Sequence, residues 1–270
     1  MSRKQPVLSL LVLTEDSAAS AHDVVVALTR KMLWLLDPGY RRDLVEFRPA
    51  DGASRKVAQG NLWKSRNPRD RARIVLLGRV IAARLLQEDV PGFVLFHIDG
   101  DVPWSRHEDS ENVERFEGFI RDYVRPALDH ALRTQQKDRG ESWPDEQMDG
   151  AMQAALLRLL LLVPFYSVEA WLYQNTEVAR RLCAEACGRH LELIGEWEAD
   201  PGLLDEIEQP KKRICLGDGP RSAEHHRALA EHAFPADRAF AAGKSFAATV
   251  TRLLGSDDLC AALERTHEHH

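Results

Sequence analysis

Val7-Leu8-Ser9-Leu10-Leu11-Val12-Leu13 runs directly into Thr14-Glu15-Asp16. A nearly continuous apolar run cut off by acid is the pattern of a strand buried on both faces of a parallel sheet. The pattern returns at Gly92-Phe93-Val94-Leu95-Phe96-His97-Ile98, which ends in Asp99-Gly100-Asp101. Between the two, residues 18–36 place Val24, Val25, Leu28, Met32 and Leu35 at helical spacing, with Ser17 as N-cap and Asp37-Pro38-Gly39 as terminator. Residues 43–48 predict a short second strand and residues 69–86 a second helix. This alternation predicts an α/β fold, a parallel sheet flanked by helices.

Residues 49–67, rich in Arg and Lys and broken by Gly52, Gly60 and Pro68, read as a basic loop. Residues 110–136 predict a long charged helix and 137–149 a polar linker. Residues 157–163 have strand-like hydrophobicity; the pattern alone also fits a buried helix, but Pro164 favours a strand that ends there. A helix then opens at Ser167. Residues 176–266 read as short amphipathic helices separated at Pro201-Gly202, at Gly217-Asp218-Gly219-Pro220 and at Gly243. The expected organisation is an α/β domain over residues 1–175 with a helical C-terminal extension, residues 176–270, packed on it.

A net charge of −6 over 270 residues gives no general attraction to phosphate backbones, so nucleic-acid contact needs a local basic patch. The longest apolar run, residues 156–165, contains Arg158 and is too short to span a bilayer, and no cationic-then-apolar leader opens the sequence. The expectation is a cytoplasmic chain with no membrane contact. Four cysteines are too few and too clustered for a secreted disulfide framework. Cys183, Cys187 and His190 sit at helical spacing with Cys215 downstream, which invites a zinc reading. The spacing is not that of a usual zinc knuckle, however, and buried free cysteine is common, so the thiols read as packing. The His-rich end, Thr266 to His270, carries no functional weight.

Ligands of open parallel sheets gather where loops leave the carboxyl ends of strands. Glu15, Asp99 and Asp101 stand at such ends on two strands, and hard carboxylate oxygens on an otherwise apolar floor suit Mg2+ or Mn2+. Gly100 gives the Asp-Gly-Asp turn the freedom to point both acids inward. Trp104, just beyond that turn, is placed to meet a ligand, whereas His97 reads as a buried, satisfied histidine and Trp171 as core. Gly243-Lys244-Ser245 lacks the earlier glycine and the preceding strand of a phosphate loop, so nucleotide binding there is not expected.

Leu13-Thr14-Glu15 and Phe96-His97-Ile98-Asp99-Gly100-Asp101 resemble the first-strand glutamate and the Asp-x-Asp element of Toprim-domain proteins, the catalytic fold of topoisomerases, primases, recombination-repair proteins and overcoming-lysogenization-defect nucleases. Residues 163–172 (Val163-Pro164-Phe165-Tyr166-Ser167-Val168-Glu169-Ala170-Trp171-Leu172) and Gly243-Lys244-Ser245-Phe246 look like a Toprim-like family of prokaryotic proteins. The resemblance implies metal-dependent phosphodiester chemistry. In it Glu15 acts as general acid/base or ligand, Asp99 and Asp101 hold magnesium, and Glu169 adds a further ligand. Asp16 stands where the family commonly has glycine; with Glu169 it is the candidate for a second metal. Lys64 and Arg66 on the basic loop are candidates for phosphate contact. No tyrosine is placed for topoisomerase chemistry.

The expected function is a divalent-metal-dependent nuclease in prokaryotic defence or DNA processing, with nucleic acid as substrate. A partner protein from the same operon and a homodimer are both compatible with the sequence. Two rivals stand beside it: a non-catalytic Toprim-like binding protein, and a phosphatase or phosphotransferase with Asp99 as nucleophile and Asp101 as acid.

Overall fold

The computed structural model describes residues 5–18, 20–87, 90–217 and 219–268. Asp218 in the expected helix break and His269 and His270 in the His-rich end lie outside the described residues. The fold is α/β: a four-stranded, all-parallel sheet flanked by helices, with a helical C-terminal region. In chain order the elements are β1 (Leu8–Thr14), α1 (Ala21–Leu36), β2 (Val45–Pro49), α2 (Gly52–Gln59), α3 (Arg71–Leu85), β3 (Gly92–His97), α4 (Glu111–Phe119), α5 (Arg125–Arg139), α6 (Asp145–Leu156) and β4 (Leu159–Leu162). There follow α7 (Val168–Leu172), α8 (Thr176–Ala186), α9 (Leu191–Ala199), α10 (Ser222–Glu231), α11 (Ala236–Ala241), α12 (Ser245–Leu254) and α13 (Asp257–Glu268).

The sheet order is β2-β1-β3-β4. Thr14 pairs with His97 at the carboxyl end of β1 and β3, and the Glu15 N–H extends the ladder to the His97 carbonyl at 3.1 Å. The continuous apolar runs hide a strict alternation. Leu8, Leu10, Val12, Phe93, Leu95, Leu160 and Leu162 enter one core, while Leu13, Val94, Phe96 and Ile98 enter the other.

Right-handed crossovers explain how the two faces are covered. The step from β1 to β2 goes one way and places α1 on the first face. The steps from β2 to β3 and from β3 to β4 go the other way and place α2 to α6 on the second face. One crossover helix cannot cover four strands. The remainder of the first face is covered by the C-terminal helices: α10, α11 and α12 pack on α1, α12 also meets β4, and α13 meets β1. Val178, Leu182, Leu229, Phe246, Leu253 and Leu263 belong to the same core as Leu8 and Leu10.

Three expectations are corrected. Helix α1 begins at Ala21, not Ala18, because the Asp16 carboxylate accepts the Ala18 N–H at 2.8 Å and forms a turn first. Residues 49–67 are not an open loop: Asp51 caps α2 by accepting the Ala53 and Ser54 N–H groups, and Trp63 is 2 % exposed. The polar stretch 137–149 is mostly helix, the last turn of α5 and the first turn of α6; it is polar because it faces water. Helix α4 starts as expected, with Ser110 Oγ accepting the Val113 N–H, and joins α5 through a π-helical segment, Ile120–Val124.

Trp63 fixes this second face. Its ring meets Phe96, Phe116 and Phe119 edge-on, with centroids 5.9, 5.5 and 6.4 Å away. Trp63→Ala therefore costs about 3–5 kcal/mol, a loss that urea unfolding measures; a cost under about 1 kcal/mol would mean that this segment is not packed.

Candidate metal centre

Strand order 2-1-3-4 reverses direction between β1 and β3, and at such a switch point the loops leaving the two strands diverge and open a crevice. Glu15 leaves β1 there and Asp99 leaves β3. The Asp99 N–H donates to Glu15 Oε1 at 3.0 Å, so one acid is built into the backbone turn that carries the next. Glu15 Oε2 is buried, has no hydrogen-bond partner among the described residues, and lies 3.9 Å from Lys64 Nζ.

Asp99 is the hub. Its Oδ1 accepts the Val168 N–H at 3.1 Å and lies 3.4 Å from His97 Nε2. His97 Nδ1 in turn meets Thr14 Oγ1 at 3.0 Å. His97 is buried as expected, but it belongs to the site: it links the ends of β1 and β3 to the Asp99 carboxylate. Asp101 sits on the other side of the turn, exposed and with φ +56. Asn112 Nδ2 donates to Asp101 Oδ2 at 2.5 Å and to the Asp99 carbonyl at 2.9 Å. Asn112 Oδ1 accepts from Lys64 Nζ at 2.9 Å. Lys64 is thus held between Glu15 and Asn112, inside the site and not on a solvated loop.

Gly100 lets the turn close. A Cβ there would lie 2.6 Å from the Phe165 ring, and the Gly100 N–H donates to the Pro164 carbonyl while Ser110 Oγ donates to the Gly100 carbonyl. Phe165 is itself braced by Trp104, edge-on at 5.5 Å, and one face of that indole is stacked by His107 at 4.4 Å. Trp104 is therefore engaged with protein groups beside the site.

Glu169, in the first turn of α7, is buried and accepts from Ser167 Oγ at 2.6 Å. Asp16 is half-buried, with its Oδ1 turned to the Ala18 amide. His226 on α10 is buried, its Nε2 has no partner among the described residues, and it lies in the field of both Glu169 and Asp16.

The titration behaviour reflects this crowding. Burial, and then the neighbouring Asp99, push Glu15 up to about 7, against the Asp99 N–H and Lys64. Asp99 is also raised: enclosure pushes it up, His97 pulls it down, and Glu169 and Asp101 push it up again. Burial would depress His97, but Asp99, with Glu15 and Asp16 behind it, outweighs that and leaves it raised. These carboxylates are splayed. Among the described residues, only Cys183, Cys187, His190 and Cys215 bring three or more such ligand atoms within 4.8 Å of one another. Of the acidic oxygens, Glu15 Oε2 is the one that is buried and left without a hydrogen-bond partner among the described residues, so a lone pair there stays open to a cation.

Around this centre the charge reverses. Between Arg48 and Arg84 the chain carries ten Lys and Arg against only Asp51 and Asp70. Arg55, Lys56, Arg66, Arg69, Arg71 and Arg73 are exposed, and none is ion-paired among the described residues. Arg66 lines a groove of about 290 Å³ with Lys64, Glu111, Arg115 and Arg121. Glu15, Asp99 and Asp101 are not part of that groove's lining.

Gly243-Lys244-Ser245 is spent internally. Lys244 pairs with Glu206 at 3.0 Å, and Ser245 Oγ donates to Asp205 while accepting the Trp171 indole N–H at 2.6 Å. Asn112 is the neighbour that sequence reasoning did not name, and Ser167 reads in the sequence only as the opening of a helix. No family model, curated protein or solved structure matches the chain.

The Glu15 shift sets a pH dependence. A folded pKa of about 7 against the ordinary 4.5 means that this group's contribution to stability is complete below 4.5 and is lost as pH rises through 7. Metal-free wild type should lose on the order of 3 kcal/mol relative to Glu15→Gln across that range, and Mg2+ should restore most of it above pH 7. Parallel pH profiles of the two proteins in urea unfolding with chelator would contradict this.

Proposed function

We propose that the chain is a divalent-metal-dependent nuclease of Toprim type, hydrolysing phosphodiesters of nucleic acid with Mg2+ or Mn2+. The observation that carries the reading is the pairing of Glu15 and Asp99 in a crevice at the β1/β3 switch point, with Lys64 beside them. The exposed cations of residues 55–73 supply the local attraction to a phosphate backbone that the chain as a whole lacks. The resemblance to Toprim proteins, and a role in prokaryotic defence or DNA processing, belong to the same proposal, as does a cytoplasmic location. No helix among the described residues is long and apolar enough to cross a membrane.

In this reading Asp99 and Asp101 hold the cation, with Glu169 and Asp16 as further ligands. The bound ion would lower the pKa of the attacking water and offset charge on the phosphate. Glu15, poised near neutrality, takes the proton of that water or returns one to the leaving oxygen. Lys64 orients a non-bridging phosphate oxygen and Arg66 holds the backbone further along the groove. Asn112 keeps Asp101 and Lys64 at a fixed separation.

Labelled single- and double-stranded DNA and RNA, incubated with Mg2+ or Mn2+, test the proposal. Cleavage is expected, and to fall about 10²-fold or more in Asp99→Asn and Glu15→Gln. Lys64 lowers the Glu15 pKa, so Lys64→Met should raise KM and move the acidic limb of the pH profile upward. Folded wild type that cleaves none of these substrates overturns the nuclease reading. Phosphate release from small monoesters would then favour a phosphatase, and metal binding alone a non-catalytic protein.

A further inference from the structure

Cys183, Cys187, His190 and Cys215 take no part in the acidic centre. They come from four positions: the last turn of α8, its C-cap, the N-cap of α9, and the turn before α10. Cys183 Sγ lies 3.9 Å from Cys187 Sγ and 3.6 Å from Cys215 Sγ, and Cys187 Sγ lies 3.5 Å from His190 Nδ1. All four ligand atoms lie within 4.8 Å of one another. A tetrahedral zinc with ordinary bond lengths has sulfur–sulfur edges of about 3.8 Å and sulfur–nitrogen edges of about 3.5 Å. The three separations of 3.9, 3.6 and 3.5 Å lie within a few tenths of an ångström of those edges, and the thiols are free.

From this geometry we infer a structural zinc site with Cys183, Cys187, His190 and Cys215 as its four ligands. The set is complete, leaving no open position for substrate, so the ion would clamp structure and not catalyse. The Arg189 amide N–H points to Cys187 Sγ at 3.5 Å, as a thiolate ligand favours. The Cys215 amide N–H faces His190 Nδ1 at 3.4 Å, long enough for a metal to take that lone pair instead. The fourth ligand is delivered by a tight turn: a Cβ on Gly217 would lie 2.1 Å from the Lys211 carbonyl, so only glycine lets this turn fold back. The Pro210–Lys212 segment beside it packs on α7, the helix that carries Glu169. Zinc here would tie the α8–α9 corner to the back wall of the acidic centre. The inference does not depend on the nuclease reading.

Purified full-length protein, kept reduced and prepared without chelator, should carry about one zinc per chain by elemental analysis. After chelation, Co2+ should bind with about the same stoichiometry and show the intense sulfur-to-cobalt charge-transfer absorption of a tetrahedral thiolate site. Cys183→Ser and Cys215→Ser should weaken metal binding about tenfold or more, His190→Cys should retain it, and Cys260→Ser, whose thiol donates to the Leu254 carbonyl instead, should leave it unchanged. The decisive readings are made on wild type, so a variant that fails to fold does not blunt the test. Wild type that holds no zinc and takes up cobalt without the charge-transfer band, as carboxylates alone would bind it, overturns the assignment.

Discussion

A carboxylate taken out of water must be stabilised by something nearby. Glu15 is in that position, joined to Asp99 through the Asp99 N–H, and much of the carboxyl-terminal edge of the sheet is arranged around the two. The Asp99 and Val168 amides donate to their oxygens, the His97 ring nitrogen and the Lys64 ammonium come within 3.4 and 3.9 Å, and Gly100 lets the turn close under Phe165. These groups do not fully offset the enclosure, since both acids remain raised and Glu15 Oε2 keeps an unused lone pair. The residual imbalance has the sign and the location that a divalent cation would neutralise.

That edge is held from both sides of the sheet. On the second face, Trp63 locks α2 and the turn that carries Lys64 onto Phe96, Phe116 and Phe119, which sets Lys64 against Glu15 and Asn112. On the first face, α7 brings Glu169 and the Val168 amide, and is itself anchored by Trp171, whose indole donates to Ser245 at the start of α12. The C-terminal helices therefore reach the site in two ways: they complete the cover of the sheet, and they hold α7 in place.

The strands were legible because burial on both faces leaves an apolar run with nothing to disguise it, and Pro164 resolved the ambiguous stretch as β4, Leu159–Leu162. Acid at the end of two such runs located the switch point. Short-range polar chemistry was harder to read. Asp16 closes a turn that delays α1, which the sequence pattern does not show, and α2 is hidden because its buried positions are only Ser54, Val57 and Ala58. Pairings between distant residues left no local trace. Lys64 meets Asn112 across 48 positions, and His190 meets Cys215 across 25, so a metal-ligand spacing that looked wrong along the chain is assembled by the turn at Gly217.

The central claim is that the carboxyl ends of β1 and β3 form a divalent-cation site. Its most direct test is a crystal of the protein soaked in Mn2+, with anomalous scattering recorded to locate the ion. The account predicts a manganese peak within bonding distance of Asp99 and at least one of Glu15, Asp101 and Glu169. Manganese absent from that crevice at millimolar concentration, with the carboxylates as splayed as before, would contradict it.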